Sequence, residues 1–254
     1  MLADGGIDER VLGAPLQSPL QSNDQVTLRV LSGFEVWVGG EHVAVTSNVE
    51  RLLGLLAVRR RPQARLSVAS TLWMDTTEDR ATANLRTALW KARQSIDGCI
   101  DVQGNHIALS PQVDVDLTSV VETTHRLLDG DAELRAEDLD TGMLTGELLP
   151  GWDEEWILFE RERLRQLCIH ALEALCRRLS QDGHAGRAVD AGLAAVSAEP
   201  LRESAQRALI AAHLAEGNVS EARRQYQDYR AILWDSLGIE PSDTLRSIVG
   251  LTRV

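Results

Sequence analysis

The spacing of apolar residues in one stretch predicts an α-helix with one buried face. The stretch is residues 80–94, RATANLRTALWKARQ. At 100° per residue, one narrow stripe collects the apolar side chains Leu85, Ala88, Leu89, Ala92 and Ile96. The opposite side is mostly cationic or amide-bearing, and it carries Arg80, Asn84, Thr87, Lys91 and Gln94, with Arg86 and Arg93 on one flank. This surface suits a helix in a DNA major groove, because Arg and Lys neutralise phosphates and Arg, Asn, Lys and Gln pair with base edges. An ordinary amphipathic helix has a charged outer face too, so the surrounding sequence must distinguish it from a DNA-reading helix.

The surrounding sequence predicts a winged-helix domain. Alternating apolar residues in VTLRVLSGFEVWV predict short strands, and a Gly–Gly pair marks a hairpin turn. A helix is predicted with Ser47 or Asn48 as its N-cap, and a short helix is predicted from Val68 to Trp73 with Ser67 as its N-cap. A last hairpin is predicted around Gln103–His106. Strands, three helices and a hairpin, in this order, are typical of a winged helix whose third helix reads DNA.

The charge is divided unevenly along the 254 residues, whose formal net charge is −12. Residues 26–113 carry ten basic and eight acidic residues, whereas residues 114–254 carry fifteen basic and twenty-six acidic residues. This asymmetry suits a DNA-reading module joined to a module that contacts something other than DNA. We therefore predict a flexible tail over 1–25, a winged-helix DNA-binding domain over 26–113 and a second domain over 114–254.

The second domain is predicted to be all-α from about Asp114 onward, and it contains an internal repeat. The pattern Gly-x4-Ala occurs at 183–188 and again at 217–222, an offset of 34 residues. That period is typical of tetratricopeptide helix pairs, in which Gly closes one helix and Ala lets the next pack closely. Trp152 and Trp156 are interpreted as core or inter-domain packing residues.

No catalytic or cofactor motif is present in the sequence. GxxxxGK[ST], GxGxxG, HExxH and GxSxG are all absent, and the three cysteines, Cys99, Cys168 and Cys176, form no Cys-x-x-Cys pair. Buried structural thiols are the simplest interpretation of these cysteines. No apolar run approaches the ~20 residues that span a bilayer. We therefore predict a cytoplasmic, nucleoid-associated protein without cofactor, metal or enzymatic activity.

Several stretches resemble a known family. Residues 72–97, LWMDTTEDRATANLRTALWKARQSID, are similar to the recognition region of Streptomyces antibiotic regulatory protein type activators. LTGELLPGW at 144–152 and LFERERL at 158–164 resemble the bacterial transcriptional activator domain. GxxxEA at 217–222, YxxYR at 226–230 and LGIEP at 237–241 are similar to the same domain.

The resemblance implies an OmpR-like winged helix followed by a tetratricopeptide-like bundle. It implies an activator that binds direct repeats in promoters as side-by-side copies and recruits RNA polymerase holoenzyme, for genes such as an antibiotic biosynthetic cluster. The residues it assigns to DNA are Arg80, Asn84, Arg86, Thr87, Lys91 and Arg93. Asn84, Thr87 and Lys91 project toward bases, and the three arginines hold phosphates. The loop Met74, Asp75 and Thr76 is expected to face RNA polymerase.

Two points leave alternatives open. The wing tip, Gln103–His106, has no Arg or Lys, although a wing that enters a minor groove usually brings one. The winged helix can therefore be degenerate, with the helical bundle acting as a protein-interaction module. Trp90 also lies on the outer half of its helix, where it can contact deoxyribose or brace the wing.

Overall fold

The computed structural model describes residues 25–130 and 132–250. In this part of the chain, an N-terminal α/β region is followed by a helical bundle. The flexible tail predicted for 1–25 lies outside the described residues, except for Gln25.

Two small sheets frame the N-terminal helices in the described chain, one with strand order β3-β2-β1-β7 and one with order β4-β6-β5. Their strands are β1 (Val26–Arg29), β2 (Glu35–Val38), β3 (Glu41–His42), β4 (Gln63–Ala64), β5 (Ile100–Gln103), β6 (His106–Leu109) and β7 (Asp114–Val115). Strand β1 pairs antiparallel with β2 and parallel with β7. The expectation of helix from Asp114 is wrong by two residues, because Asp114 and Val115 extend this sheet before the helix begins.

The helices of this region are α1 (Ser47–Arg59), α2 (Arg65–Leu72) and α3 (Glu78–Ser95). The predicted cap of α1 is wrong, because Thr46 occupies the N-cap position and Ser47 is already helical. The predicted winged-helix order is confirmed, and so is the apolar stripe of α3, whose five members are all buried. The predicted start of α2 is wrong, because the helix begins at Arg65 and its N-cap position is Ala64, not Ser67. Strand β4 pairs with β6 immediately before it, and the N–H of Arg65 donates to the carbonyl of Asn105 at 2.9 Å. Long-range pairing thus sets the start of this helix.

The second region is helical. Its α-helices are α4 (Asp116–Leu128), α5 (Glu155–Gln181), α6 (Ala185–Ala198), α7 (Glu203–Ala215), α8 (Val219–Leu237) and α9 (Asp243–Ile248), with short 3-10 helices at Ala136–Leu139 and Thr141–Thr145. The predicted repeat is confirmed: Gly183 and Gly217 lie in the turns after α5 and α7 with φ of 78° and 86°. Ala188 and Ala222, near the start of the next helix in each copy, are fully buried.

One hydrophobic core runs through both regions. Trp152, in the loop before α5, lies against α1 so closely that a Cβ at Gly54 would be 2.8 Å from its ring. The Trp152 ring centroid is also 5.9 Å from that of Phe34 and 6.3 Å from that of Trp156. The predicted packing role of the two tryptophans is confirmed.

Polar contacts join the same two regions. The guanidinium of Arg51 on α1 donates to Glu154 at 2.6 Å and to the carbonyl of Leu72 at 2.6 Å. The side chain of Asp116 accepts the backbone N–H groups of Val30 and Leu31 at the end of β1. Arg51 therefore links the end of α2 to the residue before α5, and Asp116 links the start of α4 to the first sheet.

Close packing of α6 on α7 gives a stability prediction. A Cβ added to Gly192 would lie 3.0 Å from the Cα of Leu209, and a backbone atom cannot move aside cheaply. We expect Gly192→Ala to lower the free energy of unfolding, because overpacking typically costs about 1–3 kcal/mol and exceeds the ~1 kcal/mol gain in helix propensity. Urea unfolding followed by circular dichroism measures the change.

Gly186→Ala on the same helix is the matched control, since nothing lies within 4 Å of its added Cβ. It should leave stability unchanged or raise it by up to about 1 kcal/mol. Equal stability of the two variants would contradict the proposed packing at Gly192.

Candidate nucleic-acid interface

The structure brings the six predicted DNA-contacting residues onto the outer side of α3. Five are exposed and Asn84 is half-buried: Arg80, Asn84, Arg86, Thr87, Lys91 and Arg93. At 1.5 Å rise per residue they extend along about 20 Å of the helix. The Thr87 hydroxyl donates to the carbonyl of Ala83 at 3.1 Å, which leaves its oxygen free to accept a hydrogen bond. The arrangement presents donors, acceptors and positive charge on one continuous surface.

The positive charge on this surface has no acidic partner within residues 25–130 and 132–250. Among the described residues, Arg80, Arg86, Lys91 and Arg93 form no ion pair with an acidic side chain. The arginines near the helical bundle behave differently, since Arg51 pairs with Glu154 and Arg59 with Glu160. The α3 cations are therefore available to an anion from outside, such as a phosphate.

Acidic residues are confined to the start of this helix. Glu78 and Asp79 occupy its first turn, where negative charge is favoured by the helix dipole, and Arg93 lies in the last turn, where positive charge is favoured. The sequence thus stabilises the helix ends while the middle and C-terminal part of the outer face stays cationic.

The loop before α3 is exposed. Met74 has 62% of its surface accessible, and Asp75 and Thr76 are exposed as well. The backbone N–H and the side-chain hydroxyl of Thr76 both donate to the carbonyl of Trp73, at 3.2 and 2.9 Å. The loop is held against the end of α2 with its apolar Met74 presented to solvent.

The wing is the hairpin of β5 and β6, with Gly104 in its turn at φ 58°. Trp90, on the outer half of α3, is 58% exposed. Strand β4 lies along β6 and brings Arg65 beside the wing turn. Sequence reasoning missed Arg65, because the two residues of β4 carry no alternation from which a strand can be recognised.

The three cysteines are all buried, as predicted. Burial raises the pKa of the Cys99 thiol to about 12. Burial likewise raises the pKa of Cys168 and of Cys176 to about 11. Residues 25–130 and 132–250 contain no group of three or more His, Cys, Asp or Glu placed to hold a metal ion. Within the same ranges no helix combines the length and apolar character that crossing a membrane requires.

An α/β region with the element order of a winged helix, followed by a helical bundle, is the architecture of the described chain. The family model described as the bacterial transcriptional activator domain matches residues 114–250. The chain therefore belongs to the bacterial transcriptional activator domain family.

Similar proteins agree with this assignment. The regulatory protein AfsR of Streptomyces coelicolor is 30% identical over 248 residues, which cover 91% of this chain and 24% of AfsR. AfsR of Streptomyces griseus is 24% identical over 240 residues, covering 89% of this chain and 24% of that protein. The chain thus spans about a quarter of the length of these relatives.

The fold is also similar to a solved structure. EmbR of Mycobacterium tuberculosis, determined in complex with a low-affinity phosphopeptide, superimposes with a TM-score of 0.67 at 21% sequence identity. The match covers 91% of this chain and 66% of the EmbR chain. This likeness supports the fold, a mixed α/β region followed by the helical activator domain.

Burial of the thiols predicts their reactivity. At pH 8 the folded protein should react negligibly with iodoacetamide, because the thiolate is the reactive form and the pKa of each thiol lies at about 11 or above. In urea all three cysteines should become alkylated, as counted by mass spectrometry. Rapid alkylation of any one in the folded protein would contradict the buried assignment and indicate a redox-sensitive thiol.

Proposed function

We propose that the protein is a sequence-specific transcriptional activator that inserts α3 into the major groove of promoter DNA and recruits RNA polymerase. The observation that carries the proposal is the group of cations on α3 that have no acidic partner in the described chain. Asn84, Thr87 and Lys91 face the bases in this proposal, and Arg80, Arg86 and Arg93 hold phosphates and set the register.

The relatives support a proposal about the DNA target. The matched family is described as a transcriptional activator domain, and AfsR is a regulatory protein of Streptomyces. We propose that the chain binds direct repeats as side-by-side copies, in the cytoplasm, at the promoters of a biosynthetic gene cluster. Two copies on a direct repeat double the contacts to DNA, which compensates for the modest positive charge of one winged helix.

The contact to RNA polymerase is assigned to the loop of Met74, Asp75 and Thr76. The loop starts two residues after Leu72, whose carbonyl is bonded by Arg51, and Arg51 also holds Glu154 at the start of the bundle. A polymerase surface that touches the loop therefore lies near a part of the bundle that is fixed relative to the DNA-reading helix.

A degenerate winged helix that leaves only a protein-interaction bundle is the less supported alternative. It rests on the wing tip without Arg or Lys. A degenerate reading helix would have no reason to keep four exposed cations without acidic partners in the described chain, and α3 has them on its outer side and one flank.

The reading face is tested by Arg86→Ala and Lys91→Ala. Loss of the Arg86 phosphate contact should weaken binding to all sequences and reduce the slope of log affinity against log salt by about one. Loss of the Lys91 side chain should weaken the free energy of DNA binding by about 1–3 kcal/mol and relax the base preference at one position of the DNA site. Selection of genomic DNA fragments, followed by salt titrations on the enriched fragments, measures both effects.

Arg207→Ala is the matched control, because Arg207 is exposed on α7 and has no ion pair in the described chain. It should bind DNA as the unaltered protein does. If neither α3 variant differed from this control, the assigned reading face would be wrong. If the unaltered protein selected no DNA even at low salt, the activator proposal would fail in favour of the interaction module.

Polymerase recruitment is tested separately by replacing Met74, Asp75 and Thr76 together with alanine. The three residues are exposed, and the Thr76 N–H keeps its bond to the Trp73 carbonyl when the hydroxyl is removed, so the fold and the affinity for DNA should be retained. Activated transcription in a reconstituted assay with RNA polymerase holoenzyme should fall toward the basal level, since the proposed contact is removed while the DNA contact remains. Full activation by this variant would exclude the loop as the polymerase contact.

A further inference from the structure

A cavity of about 360 Å³ lies where the α/β region meets the helical bundle. Its apolar lining comes from both regions, since Val58 belongs to the end of α1 while Leu117 and Leu164 belong to α4 and α5. Small-molecule sites in proteins have volumes of about 300–1,000 Å³ and are lined mostly by apolar side chains. The cavity is therefore large enough to hold a small organic molecule.

The same cavity is lined by charged side chains from two helices. Arg59 and Arg60 come from the C-terminal end of α1, and Glu160 and Arg163 come from α5. The carboxylate of Glu160 lies 3.5 Å from the Arg59 guanidinium and 3.3 Å from that of Arg163, so one negative charge is shared by two positive ones. With His125 of α4 neutral, three positive charges and one negative charge leave the lining with an excess of positive charge.

Arg60 provides a charge that the protein does not use. Its guanidinium has no acidic partner within the part of the chain that the structure describes. Its backbone ends α1 in the left-handed conformation, with φ of 53° and its N–H donating to the Leu56 carbonyl at 3.1 Å. The α1 dipole favours positive charge at this end of the helix, but it does not account for Arg163, which belongs to α5 and lines the same cavity.

A neighbouring cavity of about 310 Å³ shares part of this apolar lining and has no such excess. Its two arginines already have partners inside the protein. Arg161 donates to three backbone carbonyls, and Arg165 pairs with both Glu162 and Glu199. Of these two cavities, the one beside Arg60 is therefore the one that can attract an anion.

We propose that the cavity between α1, α4 and α5 binds a small organic anion with an apolar body, of the class of medium-chain carboxylates. The acid group lies against Arg60 and Arg163, because a guanidinium binds a carboxylate through two parallel hydrogen bonds. The apolar body fills the space among the leucine and valine side chains. A nucleic-acid backbone is a poor occupant, since it has no apolar part to place there. The inference does not depend on the proposed DNA-binding function.

The test uses octanoate as the probe, with the full chain at neutral pH. The two control probes are 1-octanol, which has the same chain length without the charge, and acetate, which has the charge without the apolar body. We expect octanoate to bind at a single site in calorimetric titrations, and each control probe to bind weaker by about tenfold or more, because each lacks one of the two contacts. Octanoate should also raise the thermal midpoint of unfolding, as a molecule that binds only the folded state does.

The site is located by Arg60→Gln, with Arg61→Gln as its matched control. Both arginines are exposed and have no acidic partner in the described chain, but only Arg60 lines this cavity. Arg60→Gln should weaken octanoate binding by about tenfold, because a hydrogen bond between two charged groups is lost. Arg61→Gln should leave the affinity unchanged.

A second variant keeps the test decisive if Arg60→Gln does not fold. Leu167 is partly buried and lines the cavity, so Leu167→Trp places a larger side chain in the space proposed for the apolar body. This variant should lose octanoate binding while it keeps the circular dichroism spectrum of the unaltered protein. Undiminished binding by a folded Leu167→Trp would exclude this cavity.

Three other results would overturn the proposal. They are no octanoate binding by the unaltered protein at millimolar concentration, equal affinity for octanoate and 1-octanol, and equal octanoate affinity of Arg60→Gln and Arg61→Gln. If Arg60→Gln weakened DNA binding and not octanoate binding, the arginines would contact phosphates and the proposal would fail as well. None of these results depends on Arg86 or Lys91, so failure of the cavity site and failure of the proposed function are distinguishable.

Discussion

The contact between Trp152 and helix α1 joins the two halves of this protein. The Trp152 ring lies 2.8 Å from the position of a Cβ at Gly54, so α1 can approach the loop before α5 this closely only because residue 54 is glycine. Phe34 from the first sheet and Trp156 from α5 complete the aromatic group. Because the core is continuous through this point, the winged helix and the start of the bundle are packed as neighbours rather than connected by a free linker.

The hydrogen bonds of Arg51 fix the relative orientation of the two packed regions. A packed apolar interface resists separation but tolerates small rotations, whereas hydrogen bonds from one guanidinium to Leu72 and Glu154 fix the end of α2 relative to the start of α5. The loop that leads to α3 begins at the end of α2, next to the Leu72 carbonyl that Arg51 bonds. In the proposed function, this geometry places the DNA-reading helix, the exposed loop and the bundle in one fixed arrangement on a promoter.

The distribution of ion pairs explains how a chain of net charge −12 can present a surface for DNA. Several arginines of the bundle are paired with acids, for example Arg126 with Asp138 at 2.6 Å and Arg202 with Glu173 at 2.7 Å. On α3 the cations have no such partners in the described chain. The field near a surface depends on the charges close to it more than on the net charge, since salt screens the distant ones within about 10 Å at 0.1 M ionic strength.

The sequence by itself determined the features that depend on local periodicity. The stripe of α3 with its cationic outer side, the Gly-x4-Ala repeat and the order of strands, helices and hairpin all follow from spacing along the chain. The tertiary structure decided the features that depend on pairing between distant segments. Strand β4 forms because β6 offers it hydrogen bonds, and β7 forms because β1 offers it hydrogen bonds. The position of Arg65 at the wing follows from the pairing of β4 with β6. A two-residue strand has no period of its own, so only the partner strand can determine where it lies.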